Sequence, residues 1–228
     1  MKVGVPILDI GSAISCALGV VSALYRRQRT GGGAVVSSSL LEFAVSSFTS
    51  VAPTYLVDGQ IPAPMGSHSP TFAPYGAFAA RDGHLVVAGA GSESLWQRFC
   101  VALGAGELIE DPRFRTNADR VSNLAELTAE IERRLAAESV DTWLARLDAA
   151  GVPAGQVRDL GQVLGSHQVR ALDLVRTIGT PTSSYRVLGP PVRVDGALPF
   201  PRPAPGLGEH TDQILGELDA VAGGPHRG

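Results

Sequence analysis

Residues 10–25 carry no formal charge, and their apolar positions are interleaved with Gly, Ser and Ala. A segment apolar on nearly every side predicts a helix, here over residues 10–29, buried on most of its surface. The small residues would let neighbouring backbones approach closely. Asp9 stands immediately ahead of it. Asp is a preferred N-cap, because its carboxylate accepts bonds from the unpaired amides of the first turn. Gly31-Gly32-Gly33 supplies the stop. Val35-Val36, flanked by serines, predicts a strand over 34–41. A second apolar helix follows over 40–57, disturbed at Pro53. The stretch DGQIPAPMGSHSPTFAP, residues 58–74, reads as a loop and a domain boundary.

Beyond it the periodicity changes. Residues 76–80 and 84–88 flank Arg81-Asp82-Gly83, and Asp-Gly is a strong hairpin signal. A helix is predicted over 93–103. Another starts at Asn123, where Glu126 three residues on suggests a capping box. Its Leu124, Leu127, Ile131 and Leu135 keep one helical stripe. A third helix, over 140–150, ends at Gly151 with Pro153 just beyond. Residues 157–164 read as a short strand and 169–171 as a helical turn. Strands are predicted over 174–178 and 185–194, and a last helix over 211–218.

Composition narrows the class. The 228 residues are 44% hydrophobic and 18% charged, enough apolar content for a core. Net charge is −3 and no basic stripe appears, so a nucleic-acid partner is not expected. Arg26, Arg27 and Arg29 fall at a helix C-terminus, where cations complement the macrodipole. The uncharged run is shorter than the roughly 20 residues of a membrane span and is preceded by Asp9, so no membrane partner is expected. Cys16 and Cys100 sit in apolar, helix-like stretches with no disulfide or metal-ligand spacing, which fits a reducing cytoplasm.

Candidate chemistry is sparse. No G-x-S-x-G elbow, H-E-x-x-H or P-loop is present, and the five histidines show no ligand spacing, so no metal site is assigned. Asp9 is left. In an apolar setting at a helix N-terminus, desolvation raises a carboxylate's pKa and the dipole lowers it. Such a group stays ionised yet poorly hydrated, as covalent catalysis requires. The plainer reading is an N-cap.

A series of blocks bears on that choice. They are VGVPILDIGSA (3–13), ALYRRQRTGGG (23–33), VVSSSLLE (35–42), MGSHSPTFAPYGAFAARDG (65–83), LWQRFCVALG (95–104), DPRFRTNADR (111–120), LARLDAAGVPAGQV (144–157) and LGEHTDQIL (207–215). In this order and spacing the chain resembles the class III CoA-transferases, the CaiB/BaiF family that includes formyl-CoA transferase. The resemblance covers residues 3–218. It departs at Ala13, where relatives usually have Gly, at Ala34, where they have Gln, and at Ser69, which separates His68 from Pro70.

The resemblance implies an α/β fold, with an incomplete Rossmann-like large domain and an inserted smaller α+β domain. Residues 1–62 and 181–228 would belong to the large domain, and 63–180 to the small one. It implies Asp9 as the nucleophile that moves CoA from an acyl-CoA to a free carboxylic acid through an aspartyl intermediate. CoA thioester would be a substrate, with no permanently bound cofactor. The Gly66-Ser67-His68-Ser69-Pro70 loop would be a lid on the acyl site, or a connector between domains. The family's N-terminal CoA-binding half would be missing from this chain. Relatives form interlocked homodimers, so a homodimer or a partner N-terminal half is expected, because the helices at 10–29 and 40–57 would expose apolar faces. The alternatives are an acyl-CoA racemase of the same fold and a non-catalytic subunit or inactive fragment.

Overall fold

The computed structural model describes residues 3–49, 51–88, 92–180, 183–199 and 202–222. Helices and antiparallel strands build an α/β chain that divides into two compact units, residues 1–66 and 67–228.

The first unit holds α1 (Ile7–Thr30), α2 (Leu40–Ser46) and α3 (Ala52–Asp58). Helix α1 begins three residues earlier than the sequence predicts, with Pro6 at its cap position. Asp9 is therefore the third helical residue and not the N-cap. Gly31 ends the helix as expected, at φ 74°, and its N–H donates to the Arg27 carbonyl at 2.8 Å. Residues 31–39 form no strand, since no partner strand exists among the described residues of this unit. Ser39 instead caps α2, accepting from the Glu42 amide at 3.1 Å. The second apolar helix breaks before Pro53. The Ser46 and Ser47 hydroxyls both donate to the Phe43 carbonyl, at 3.0 and 2.7 Å, competing with helical amides. Pro53 then sits in the first turn of α3, where a missing N–H costs nothing.

The expected burial of the first helix is not found. Ser12 is the one buried residue among those of α1, while Ile14, Leu18 and Val21 are 60%, 67% and 63% exposed. Within this unit α2 and the segment around Val36 cover only the Gly11 and Gly19 side of α1. The helix is longer than the uncharged run suggested. By length and composition it could cross a membrane, a test that core helices of soluble proteins also pass.

In the second unit, β1 (Gly76–Ala80) and β2 (Gly83–Val87) make the expected hairpin across Arg81-Asp82. Then come α4 (Glu93–Ala102), a 3-10 turn over Gly106–Ile109, α5 (Asn117–Ser122), α6 (Leu124–Leu135) and α7 (Val140–Ala149). Strand β3 (Ala154–Gln156) completes an antiparallel sheet of order β1-β2-β3. The strand expected over 157–164 is replaced by α8 (Leu160–Leu164), because Asp159 and Gln162 form a reciprocal capping box. After α9 (His167–Ala171), β4 (Val175–Thr180) and β5 (Ser183–Leu188) form a second hairpin, and α10 (Thr211–Ala222) follows. The predicted capping box at Asn123 and Glu126 is absent. Asn123 donates instead to the Arg113 and Asp119 carbonyls, and Glu126 pairs with Arg113.

One core fills residues 73–154 of this unit. Phe78, Leu85 and Val87 of the sheet meet Trp96 and Phe99 of α4, Leu127, Ile131 and Leu135 of α6, and Trp143 and Leu147 of α7. Edge strand β1 leaves outward amides unpaired by the ladder, a liability unless something covers them. The Ser67 hydroxyl accepts from Ala77 N at 3.0 Å, and the Glu132 carboxylate of α6 accepts from Ala79 N at 2.9 Å.

Arg120 of α5 is fully buried within this core. Its guanidinium donates to the Ala73 carbonyl at 2.9 Å, the Phe114 carbonyl at 3.0 Å and the Glu93 carboxylate at 2.9 Å. It also lies over the Trp96 ring, 4.8 Å from the centroid. Asn117, one turn earlier, donates to the Thr71 carbonyl and accepts from the Ala73 amide.

Arg120→Met should destabilise the chain by roughly 3 kcal/mol, because it strands buried carbonyls and breaks an ion pair with a buried end. A urea denaturation midpoint measures this. Glu126→Gln, which breaks only an exposed pair, should leave the midpoint in place. Equal midpoints for Arg120→Met and the unsubstituted chain would show that the buried guanidinium is dispensable. Burial pushes the Cys100 thiol up to about 12, from an ordinary value of 9.0. A raised folded-state pKa gives stability that is whole below the unfolded value and lost as pH rises through the folded one. Denaturant stability should therefore fall between about pH 9 and 12, and Cys100→Ser should flatten that fall. At neutral pH a thiol reagent should label the part-exposed Cys16 quickly and Cys100 only on unfolding.

Candidate functional site

Asp9 lies in the first turn of α1 with its side chain exposed. It is not desolvated within this chain, contrary to the sequence expectation. The positive end of a 24-residue helix dipole remains beside it. Its carbonyl accepts from the buried Ser12 hydroxyl at 3.1 Å, which fixes the turn from within.

Two residues on, Gly11 faces Phe43 of α2. A Cβ at Gly11 would lie 2.0 Å from the Phe43 ring, so only glycine admits the ring there. The aromatic face of α2 is thus seated directly against the turn that bears Asp9. Gly19 repeats the contact two turns later, where a Cβ would meet Val36 at 2.8 Å. The sequence reading missed this pairing. A glycine inside an otherwise strong helix usually marks a close approach, and that signal was available.

The candidate loop splits at its first residue. Gly66 ends the first unit, at φ 64°, and the other loop residues begin the second. Ser67 and His68 lie against the start of β1. Ser67 covers the Ala77 amide there. The His68 ring stands edge-on to Phe78, with centroids 5.4 Å apart. Its Nδ1 is buried with no hydrogen-bond partner among the described residues, and it presses on Gly76, where a Cβ would lie 2.4 Å from it. Ser69 N donates to the Tyr75 carbonyl at 3.1 Å. Pro70 is exposed. The loop is therefore tied back on its own strand at three successive residues. Among the described residues, no group of three or more His, Cys, Asp or Glu is placed to hold a metal ion.

These features can be set beside known proteins. The sequence pattern of CoA-transferase family III matches residues 1–211. The chain is 33% identical over 220 residues to the succinyl-CoA:glutarate CoA-transferase of Mus musculus, covering 96% of this chain and 50% of that protein. It is 32% identical over 219 residues to the acetyl-CoA:oxalate CoA-transferase of Acetobacter aceti, covering 95% and 55%. Among solved structures, a CaiB/BaiF family protein from Brucella suis is 33% identical with a TM-score of 0.77, covering 96% of this chain and 57% of that one. Rv3272 of Mycobacterium tuberculosis is 28% identical with a TM-score of 0.79, covering 94% and 57%. The chain spans about half the length of the curated relatives it matches. With the pattern matched across nearly all of its length, the chain belongs to CoA-transferase family III.

Proposed function

We propose that this chain carries the nucleophile of a CoA transfer between carboxylates, and that the nucleophile is Asp9. The observation that supports this most is Asp9 itself: an exposed carboxylate in the first turn of a long helix, within a chain matched to CoA-transferase family III.

An Asp9 oxygen attacks the thioester carbonyl of an acyl-CoA. The C–S bond breaks, CoA leaves as thiolate, and an acyl-aspartyl anhydride remains. The thiolate attacks the aspartyl carbonyl, the acyl group departs as carboxylate, and an aspartyl-CoA thioester forms. The acceptor carboxylate displaces the thiolate to give a second anhydride. The thiolate then attacks the acceptor's acyl carbon, which releases the new acyl-CoA and restores Asp9. Unpaired amides of the helix N-terminus are suited to hold the oxyanion of each tetrahedral step. By resemblance, residues 66–70 are the proposed substrate loop, a lid against water or a connector between domains.

The exposed apolar face of α1 supports a second part of the reading. Residues 1–62 and 181–228 belong to a large domain completed by other chain, either an N-terminal CoA-binding half or a second protomer. Residues 63–180 are the inserted domain. Succinyl, glutaryl, acetyl and oxalyl groups, the acids in the relatives' names, are the first donors and acceptors to try.

The direct test is trapping. The chain, alone and joined to the preceding half of a family III polypeptide, is incubated with acyl-CoAs and quenched with hydroxylamine. Peptide mass spectrometry should find a hydroxamate at Asp9 in the joined form and none in Asp9→Asn. A folded, CoA-binding joined form that never modifies Asp9 would refute the assignment and favour a non-catalytic subunit. Gly11→Val should reduce the trapped yield on the order of a hundredfold, because it drives Phe43 off the nucleophile's turn. An unchanged yield would show that the contact has no positioning role.

A further inference from the structure

A cavity of about 600 Å³ opens between the α8–α9 pair and the β4–β5 hairpin, wholly within the second unit. Its apolar wall comes from Leu164, Val169 and Val175, and its charged lining from Arg170, Asp173 and Arg186. Asp173 is already committed. It is ion-paired to Arg176, which holds its carboxyl below the usual range, and Arg193 adds to the effect. Arg193 in turn donates to the Leu172 carbonyl.

Arg170 and Arg186 are different. Among the described residues neither guanidinium has a hydrogen bond or an ion pair, although both line the same cavity. The Arg170 guanidinium lies over Gly165, with Nη2 3.8 Å from where a Cβ would stand. Arg186 projects from β5, opposite Thr177 of β4. Arg176 and Arg193 thus answer the charge of Asp173, while Arg170 and Arg186 line the cavity with their own charges unanswered among the described residues. A guanidinium presents a planar fork of donors that fits carboxylate and phosphate oxygens, and its charge persists at every physiological pH.

We propose that this cavity is a binding site for a doubly charged oxyanion, held by Arg170 and Arg186. The apolar wall suits a short methylene chain between two carboxylates, and a phosphate dianion shares the same charge chemistry. The site does not depend on the reaction assigned to Asp9.

Isothermal titration of the full chain at low ionic strength tests it, with succinate and inorganic phosphate as separate probes. Binding of succinate alone identifies a linear dicarboxylate site, and binding of phosphate alone a compact dianion site. Arg170→Gln and Arg186→Gln should each weaken binding by about tenfold and together abolish it. Arg202→Gln, on an exposed stretch of the same unit, should change nothing. In the unsubstituted chain the bound anion should also shield Arg170 and Arg186 from phenylglyoxal, read by mass spectrometry. Failure of both anions to bind, or equal binding by the double variant, would overturn the proposal.

Discussion

The second unit depends on one buried cation. A guanidinium taken out of water is tolerable only when its donors and its charge are answered, and Arg120 has both answered at once. Two carbonyls and a carboxylate take its N–H groups, and Trp96 takes its face. Those partners come from four places in the sequence: the approach to β1, the loop before α5, and two positions on α4. Removing the cation would leave each without its tie to the others. Asn117 adds bonds to Thr71 and Ala73, so α5 clamps the approach to β1 by both backbone directions. The 66–70 loop therefore ends in a fixed frame. Ser67 and His68 are then locked on β1 by an edge hydrogen bond and by packing that admits no side chain at Gly76.

The first unit is built on a different principle. Its long helix has no comparable polar anchor and few buried side chains. What orders it locally is shape: Phe43 against Gly11, and Val36 against Gly19. Both contacts lie on one stripe of α1 and leave the rest of its apolar surface bare. Burying a side chain such as Leu18 or Ile14 is worth roughly 1.5–3 kcal/mol. Several such positions unsatisfied on one helix make this unit the part whose stability depends most on whatever else packs against it. The nucleophile assigned to Asp9 sits on that helix.

Local chemistry was legible in the sequence, and long-range pairing was not. The Asp-Gly hairpin, the Gly31 stop and the stripe of α6 follow from turn preference and periodicity, and the structure keeps them. The misplaced features share one cause. Val35-Val36 looked like a strand because β-branched residues favour one, but a strand needs a neighbour, and nothing local reveals its absence. Residues 157–164 looked extended until the Asp159–Gln162 box is counted as a helix start. Asn123 and Glu126 had the spacing of a box, yet Arg113 takes one partner and offers its carbonyl to the other. Burial of α1 was inferred from its composition, which measures a helix's demand for partners and not their supply.

The candidate site shows the same division. Asp9 was found through resemblance, since an acidic residue near a helix start is ordinary on its own. The residues that support its turn, Ser12, Gly11 and Phe43, have no chemical signature and emerge only from contacts. Ser67 and His68, singled out for a place beside substrate, are also structural parts of β1. A substitution at either would disturb the sheet edge as well as any acyl pocket, so loss of activity there would not separate the two roles. Gly11 does separate them. It contributes no side-chain functional group, so in a variant that stays folded its effect on chemistry passes through the position of the turn that holds Asp9.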